Sequence, residues 1–342
     1  MMRSGGLILC YHRVLPVLPE DPHGVLNPFD LVTETAHFRA HMEILRERFT
    51  LVPLEDLLRQ LVAGHLEPGQ ACVTFDDGYF DNFLSAFPIL RALAIPATVF
   101  LVTGYLEREQ PFWWMRLTRL LHLITSHVLP VPPELGGGCL ALRGRRARRQ
   151  AHLTLLRRLR VLPNADTREH LLDALGAQGT PVEECPLTWE ECRKMQAHGI
   201  HFAPHSCSHP SLVALPEEVL LREVSESVDT IRLRLGVDPQ AFSYPYGHAD
   251  ARVSRAVQDA GLAGAVTAGP LHRRNRLLPP PSDRRGELAP RLLPAGDERP
   301  GGIGHRGDAL GPTERADPRS LASGLGCALL GCSPARTTGG VA

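Results

Sequence analysis

Three short runs, Leu7-Ile8-Leu9-Cys10, Cys72-Val73-Thr74-Phe75 and Ala97-Thr98-Val99-Phe100-Leu101-Val102, are apolar or β-branched at every position. A strand with one face in water alternates in polarity, whereas a strand covered on both faces reads as a continuous run. Between the first two runs, residues 35–47 (Phe38, Met42, Leu45) and 54–63 (Leu54, Leu57, Leu58, Leu61) repeat their apolar side chains at helical spacing. Phe80 to Leu93 reads as a further helix with Pro88 at a break. Strand and helix in alternation imply an α/β fold, a parallel sheet or barrel whose site lies at the C-terminal ends of the strands.

The 342-residue chain is long enough for one large α/β domain and an appendage. Its formal net charge is zero, so no global field draws it to nucleic acid or an anionic surface. Its eight cysteines are scattered without a CxxC pair, which argues against a disulfide framework. No apolar run reaches the ~20 residues of a membrane span. The apolar stretch near the start is too short for a signal peptide, and the expectation is a cytoplasmic protein.

The alternation is interrupted from about 107 to 181. Phe112 to Ile124 is a leucine-rich helix carrying Trp113 and Trp114, Gly136-Gly137-Gly138 is a loop, and Arg143 to Arg160 is strongly basic. This stretch reads as a helical insertion. Its basic run suits an anionic polymer, but an amphipathic helix with a solvated arginine face is the favoured reading. The rhythm resumes at Thr188 and Glu191, spaced as a capping box. A strand at 201–203 follows, then a helix opened by Pro216 and closed by Gly236, a strand at 241–244, a helix capped by Asp250, and a strand at 264–267. Residues 269–342 are rich in Gly, Pro and Arg and contain no Phe, Trp or Tyr, a composition that implies a disordered tail. Six strands precede it where a closed barrel wants eight, and an altered reading frame near 270 would account for so abrupt a change.

The second apolar run ends at Asp76-Asp77-Gly78, and a later strand ends at His205-Ser206-Cys207-Ser208-His209. Pro204 and Pro210 bracket the two histidines, so a structured loop or single turn is expected there rather than a long helix. Two imidazoles and a carboxylate make a metal-binding set that leaves coordination positions open. Two adjacent acids at a strand end diverge, so one can ligate while the other acts as general base.

These segments carry a resemblance. Thr74-Phe75-Asp76-Asp77-Gly78, His205-Ser206-Cys207-Ser208-His209 and Ser243-Tyr244-Pro245-Tyr246-Gly247 resemble, in order and spacing, the three motifs of the polysaccharide deacetylase family, the NodB-homology carbohydrate esterases of family 4. Leu9-Cys10-Tyr11-His12 is also similar to the first strand of many members. The resemblance covers roughly residues 7–268 and implies a distorted (β/α) barrel of the NodB-homology type. It further implies a metal-dependent hydrolase that removes N-acetyl groups from N-acetylhexosamine units of a polysaccharide or glycan precursor. Asp76 would be the general base. Asp77, His205 and His209 would hold a divalent metal, with zinc first and cobalt or nickel as alternatives. The backbone N–H of Tyr246 would stabilise the oxyanion.

Two departures stand out. Ser243 and Tyr244 occupy a region where many members carry an arginine that orients the base. The family's late histidine, which protonates the leaving amine, has Leu271-His272 as its formal counterpart, inside the arginine-rich tail. Otherwise His12 or His248 must serve. A metal- and carbohydrate-binding relic without turnover is the alternative reading. The expected partner is an N-acetylated carbohydrate, with no nucleic acid and no membrane span.

Overall fold

The computed structural model describes residues 6–108, 110–177 and 185–267, together with the backbone of 326–329. The first half runs β1 (Leu7–Tyr11), β2 (Arg13–Leu15), β3 (Val32–Glu34), α1 (Thr35–Arg48), β4 (Thr50–Leu51), α2 (Leu54–Val62) and β5 (Gln70–Phe75). A π turn (Asn82–Ala86), α3 (Phe87–Ala92) and β6 (Ala97–Leu101) follow. Next come α4 (Thr103–Arg108), α5 (Trp113–Leu123), β7 (Val128–Pro130), β8 (Cys139–Ala141), α6 (Arg145–Leu159) and α7 (Ala165–Ala174). The remainder is α8 (Trp189–Gln196), β9 (Ile200–Pro204), α9 (Glu217–Leu235), β10 (Ala241–Ser243), α10 (Ala251–Asp259), β11 (Gly264–Val266) and β12 (Gly326–Leu329).

The central sheet has the order β12-β1-β5-β6-β9, with β4 at the edge of β5. β1, β5, β6 and β9 are mutually parallel, and β12 runs antiparallel to β1. Register decides where the site lies. Tyr11 pairs with Phe75, and Leu101 pairs with Pro204. The residues that leave these strands next, His12, Asp76 and His205, therefore emerge at one rim.

β10 and β11 form a separate parallel pair. Ile8, Cys72, Phe100 and Ala203 of the large sheet nevertheless share one buried cluster with Ala241 and Val266 of the small one. Both sheets thus wrap around a common interior, which makes the fold the distorted (β/α) barrel expected. Among the described residues no ladder joins β9 to β10, which is where the distortion lies. Leu54, Leu57 and Leu58 of α2 complete that cluster. Leu57 packs beside Gly6, before β1, and Leu58 beside Gly264, at the start of β11. Helix α2 therefore closes the N-terminal end of the barrel, away from the carboxylates.

Most expected elements appear close to their boundaries, and the exceptions have local causes. Pro88 falls in the first turn of α3, where its missing N–H leaves no bond unmade, and the π turn absorbs the break before it. Pro216 is the N-cap of α9 rather than its first residue. The hairpin β7–β8 and helix α7 are additional to the elements read from the sequence. Each strand of the hairpin has only three residues and no apolar alternation long enough to register.

Within 107–181, α5, α6 and α7 bury Trp113, Leu117, Leu121, Leu155, Leu159 and Leu172 in a cluster distinct from the barrel's. Helix α6 is amphipathic: Ala151, His152, Leu155 and Leu159 face inward. Arg148 is buried with them and donates to the carbonyls of Leu121 and Ile124, which end α5. Strand β12 lies inside the stretch expected to be a tail, with Leu329 opposite Leu7. His272 and the point near 270 where a frame change was considered lie outside the described residues. No helix among the described residues is long and apolar enough to cross a membrane.

Leu57 is fully buried where α2 closes the barrel. Truncating it removes the buried side chain and leaves a cavity, so Leu57→Ala should lower the unfolding free energy by about 2–5 kcal/mol. Urea titration of the two proteins measures this, and a loss below about 1 kcal/mol would show that α2 does not plug the interior.

Candidate functional site

The end of β5 is bent by its own sequence. The Asp76 N–H still donates to the Tyr11 carbonyl at 2.9 Å, continuing the ladder with β1. Asp77 then has φ 72° and Gly78 φ 78°. Left-handed backbone costs a non-glycine residue roughly 1 kcal/mol or more, so surrounding structure must enforce it at Asp77. At Gly78 a side chain is excluded as well, because a Cβ would lie 2.6 Å from Leu101 Cδ2. The kink sends two consecutive carboxylates to different neighbours.

His205 is fixed to β6 by its N–H, which donates to Leu101 O at 2.8 Å. The histidine segment is a loop, as the flanking prolines imply, with Ser206 at φ 66° and His209 at φ 56°. Three groups hold it. Ser206 Oγ accepts from the His209 N–H. Glu223, from the buried stripe of α9, accepts from the N–H groups of Cys207 and Ser208 at 3.0 and 2.9 Å, and from Ser208 Oγ at 2.6 Å. Arg168 of α7, fully buried against the Trp113 ring, donates to Ser208 O at 2.7 Å. Neither Glu223 nor Arg168 was singled out in the sequence. The available signal was a carboxylate on the same face of a helix as Leu220, Val224 and Val228.

The structure brings Asp77, His205 and His209 together, with one ligand atom from each lying within 4.8 Å of the others. Asp77 Oδ1 is 3.6 Å from His205 Nε2 and 3.4 Å from His209 Nε2. The tautomers follow from the other ring nitrogens. His205 Nδ1 faces the Ser243 carbonyl at 2.7 Å and must donate to it. The Tyr246 hydroxyl donates to His209 O, leaving its oxygen to accept from His209 Nδ1 at 3.2 Å. Both Nε2 atoms therefore present lone pairs toward a carboxylate oxygen that is itself buried without a hydrogen-bond partner. Burial lowers the pKa of His205 and pushes that of His209 far down, with His205 itself adding to the shift at His209, so these contacts are not ion pairs. Burial and the nearby Asp76 raise the pKa of Asp77 well above the carboxylate range. Three electron-pair donors converging at a buried point fit a divalent cation.

Asp76 faces the other way. Ser243 Oγ donates to its Oδ2 at 3.2 Å, while Oδ1 is buried without a partner. Ser243 thus orients this carboxylate where an arginine was missing from the third motif. Cys10, His12 and Asp76 also place one ligand atom each within 4.8 Å of one another. Burial lowers the pKa of His12, and the Asp76 carboxylate opposes that shift.

These groups line a cavity of about 350 Å³. Its far wall comes from the insertion: Trp114, Met115 and Thr118 of α5, His152 and Leu156 of α6, and Arg160. Trp113 is wholly buried and anchors the insertion, whereas Trp114 lies 4.5 Å from the His209 ring and donates to the Tyr79 hydroxyl. Tyr246 sits at φ 60° with its ring 4.7 Å from that of His209. Asp81, expected to cap the following helix, instead accepts from Arg13 Nε at 2.8 Å and the Val14 N–H at 2.9 Å, tying β2 to the turn after β5. The Asn82 side chain likewise leaves the cap and donates to the His12 carbonyl. Asp250 does cap α10, accepting from the Val253 N–H. A second cavity of similar size lies behind the histidine loop, lined by Thr103, Cys207 and Glu223, but it holds neither the paired acids nor the two histidines.

Residues 63–265 match the family described as polysaccharide deacetylase. The chain belongs to that family. It is 35% identical over 92 residues to the putative polysaccharide deacetylase YxkH of Bacillus subtilis, covering 26% of this chain and 32% of that one. It is also 35% identical over 72 residues to chitin deacetylase 1 of Cryptococcus neoformans var. grubii, covering 21% of this chain and 15% of that one. These alignments thus span a third or less of either curated relative. The fold resembles that of the Streptococcus pyogenes deacetylase PplD, solved in complex with acetate, with TM-score 0.52 and 18% identity over 78% of this chain and 85% of that one.

His152, in the cavity wall, accepts or donates at Thr118 Oγ1 over 3.0 Å, and burial pulls its pKa down to about 4. The unfolded chain protonates this group near pH 6.5 and the folded chain does not. Its contribution is therefore complete above about pH 6.5 and is lost as pH falls toward 4. His152→Gln should accordingly cost about 2 kcal/mol less at pH 5 than at pH 7 in paired urea titrations. An equal cost at both values would mean that His152 is not held neutral.

Proposed function

We propose that this protein hydrolyses N-acetyl groups on an N-acetylated carbohydrate, with Asp77, His205 and His209 holding a divalent metal. The observation that carries the reading is the buried, unpartnered Asp77 Oδ1 flanked by two imidazole lone pairs, with a second carboxylate beside it. Two histidines and one carboxylate suit zinc, and cobalt and nickel remain alternatives. When bound, such an ion supplies Lewis acidity toward an amide carbonyl and makes water more acidic. The unit that carries this chemistry is residues 1–268, with the insertion at about 107–181.

The chain's own residues supply the proton transfers. Asp76 Oδ1, without a hydrogen-bond partner among the described residues, takes a proton from water as the water oxygen bonds to the acetyl carbon. Ser243 holds the other carboxylate oxygen and so aims the base. Negative charge then grows on the former carbonyl oxygen, and the Tyr246 N–H is the backbone donor assigned to it. The C–N bond breaks as the nitrogen gains a proton, giving free amine and acetate. His12 is the donor we assign to that step. It lines the same cavity as the acids, and the cluster it forms with Asp76 lets it recover the proton that the base removed. His248 also lines the cavity, but its ring reaches Ser211 at 3.5 Å rather than the acids. The relic reading rested on a missing proton donor, and His12 provides one without the region beyond 268.

Acetate release from N-acetylated chito-oligosaccharides, read beside metal content, tests this. Asp76→Asn should lose about 10²–10⁴-fold in rate and keep its metal. His12→Gln should lose a comparable factor, also with metal retained. Asp77→Ala and His209→Ala should lose both metal and activity, and chelation should silence the wild type. Turnover that survives chelation, or metal retained after both ligand substitutions, would sink the proposal.

A further inference from the structure

The cavity wall contributed by the insertion contains a cation that the hydrolysis does not use. Arg160 is the C-cap of α6. An arginine at that position commonly lies along the last carbonyls in water. Here the side chain turns inward instead. Its guanidinium lies 5.0 Å over the face of the Tyr246 ring, whose hydroxyl is bonded to His209. Arg160 Nε is buried and has no hydrogen-bond partner among the described residues. No ion pair reaches Arg160 among the described residues either.

The rest of the wall sharpens the contrast. Among the described residues, the only carboxylates lining the cavity are Asp76 and Asp77, and both are assigned to the reaction centre. The other lining arginine, Arg13, is matched by Asp81. Among the described residues, Arg160 is therefore the one lining arginine without a charge of opposite sign. His248 lines the cavity with it, and the buried Ser211 ties the two segments together. The Ser211 N–H donates to the Arg160 carbonyl at 2.7 Å, and Ser211 Oγ lies 3.5 Å from His248 Nδ1. Guanidinium and imidazole together are groups that bind a carboxylate or phosphate. A buried N–H on an unpaired guanidinium is costly, and an anion arriving with the substrate removes that cost.

We infer that Arg160, with His248, forms a subsite for an anionic group on the glycan, so that the favoured substrate is an acidic N-acetylated carbohydrate rather than a neutral one. This deepens the deacetylase reading and rests on it for turnover. The Arg160 guanidinium and the His209 ring both lie against Tyr246, 5.0 and 4.7 Å from its ring centroid. The anion thus belongs to the acetylated sugar or its immediate neighbour. A uronate-type carboxylate on the adjacent sugar and a phosphate on the acetylated sugar itself share this chemistry.

Three probes separate them: a neutral N-acetylated chitotriose, a hyaluronan tetrasaccharide in which N-acetylglucosamine alternates with glucuronate, and N-acetylglucosamine 1-phosphate. For the metal-loaded wild type, at least one acidic probe should exceed the neutral one in kcat/KM by about 10- to 100-fold, the range of a charged hydrogen bond. Whichever acidic probe is favoured names the source of the charge. Arg160→Gln should bring the acidic-to-neutral ratio close to one, and Arg160→Lys should restore part of it. Equal kcat/KM for all three probes in the wild type overturns the inference, as does a ratio that Arg160→Gln leaves intact. Calorimetric titration of the same ligands reads the subsite without turnover. Tighter binding of an acidic probe, lost in Arg160→Gln, upholds the inference even if no acetate is released, and only the hydrolytic reading then fails. Equal binding of acidic and neutral probes by the wild type overturns it.

Discussion

Three electron-pair donors pointed at one buried spot repel one another, and much of the surrounding structure exists to hold them there. Asp77 Oδ1 and the Nε2 atoms of His205 and His209 would separate if their side chains were free. The Ser243 carbonyl and the Tyr246 hydroxyl fix which nitrogen of each ring carries its proton. Glu223 and Arg168, from two different helices, grip the backbone between the histidines. Positive φ at Asp77, Ser206, His209 and Tyr246 concentrates backbone strain around the same centre. Strain of this kind persists where packing over-determines it, and the fully buried strands β5 and β6 provide that packing.

The barrel and the insertion divide the work. Strand ends of the barrel deliver His12, Asp76, Asp77 and His205 to one rim, a direct result of the parallel registers. The 107–181 stretch supplies Trp114, His152 and Arg160 to the opposite wall. The two sides share packing, since Tyr79 and Val102 lie in one buried cluster with α5, α6 and α7, and Arg168 crosses from α7 to the histidine loop.

Local and periodic features were legible in the sequence. The continuous apolar runs at 7–10, 72–75 and 97–102 mark strands because burial on both faces leaves no alternation. The capping box at Thr188 and Glu191 closes reciprocally, as its spacing requires. The two acids and two histidines could be paired only through the resemblance, since nothing local says that segments so far apart in the chain meet. Asp81 shows the limit of local reading. Its position before a helix suggests a cap, but Arg13 from another strand offers a charged partner inside the protein, and tertiary contact wins. Glu223 shows the same limit in reverse: its donors lie on another segment, so only the folded loop reveals why a carboxylate is buried. Trp113 and Trp114 are neighbours in sequence with opposite fates, because adjacent helical positions point about 100° apart.

Helix α2 has one more consequence. With Ile8, Cys72, Phe100 and Ala203 it fills the interior beneath the strand ends. The acids and histidines are therefore approached from the C-terminal side of the strands, where the wall from α5 and α6 stands.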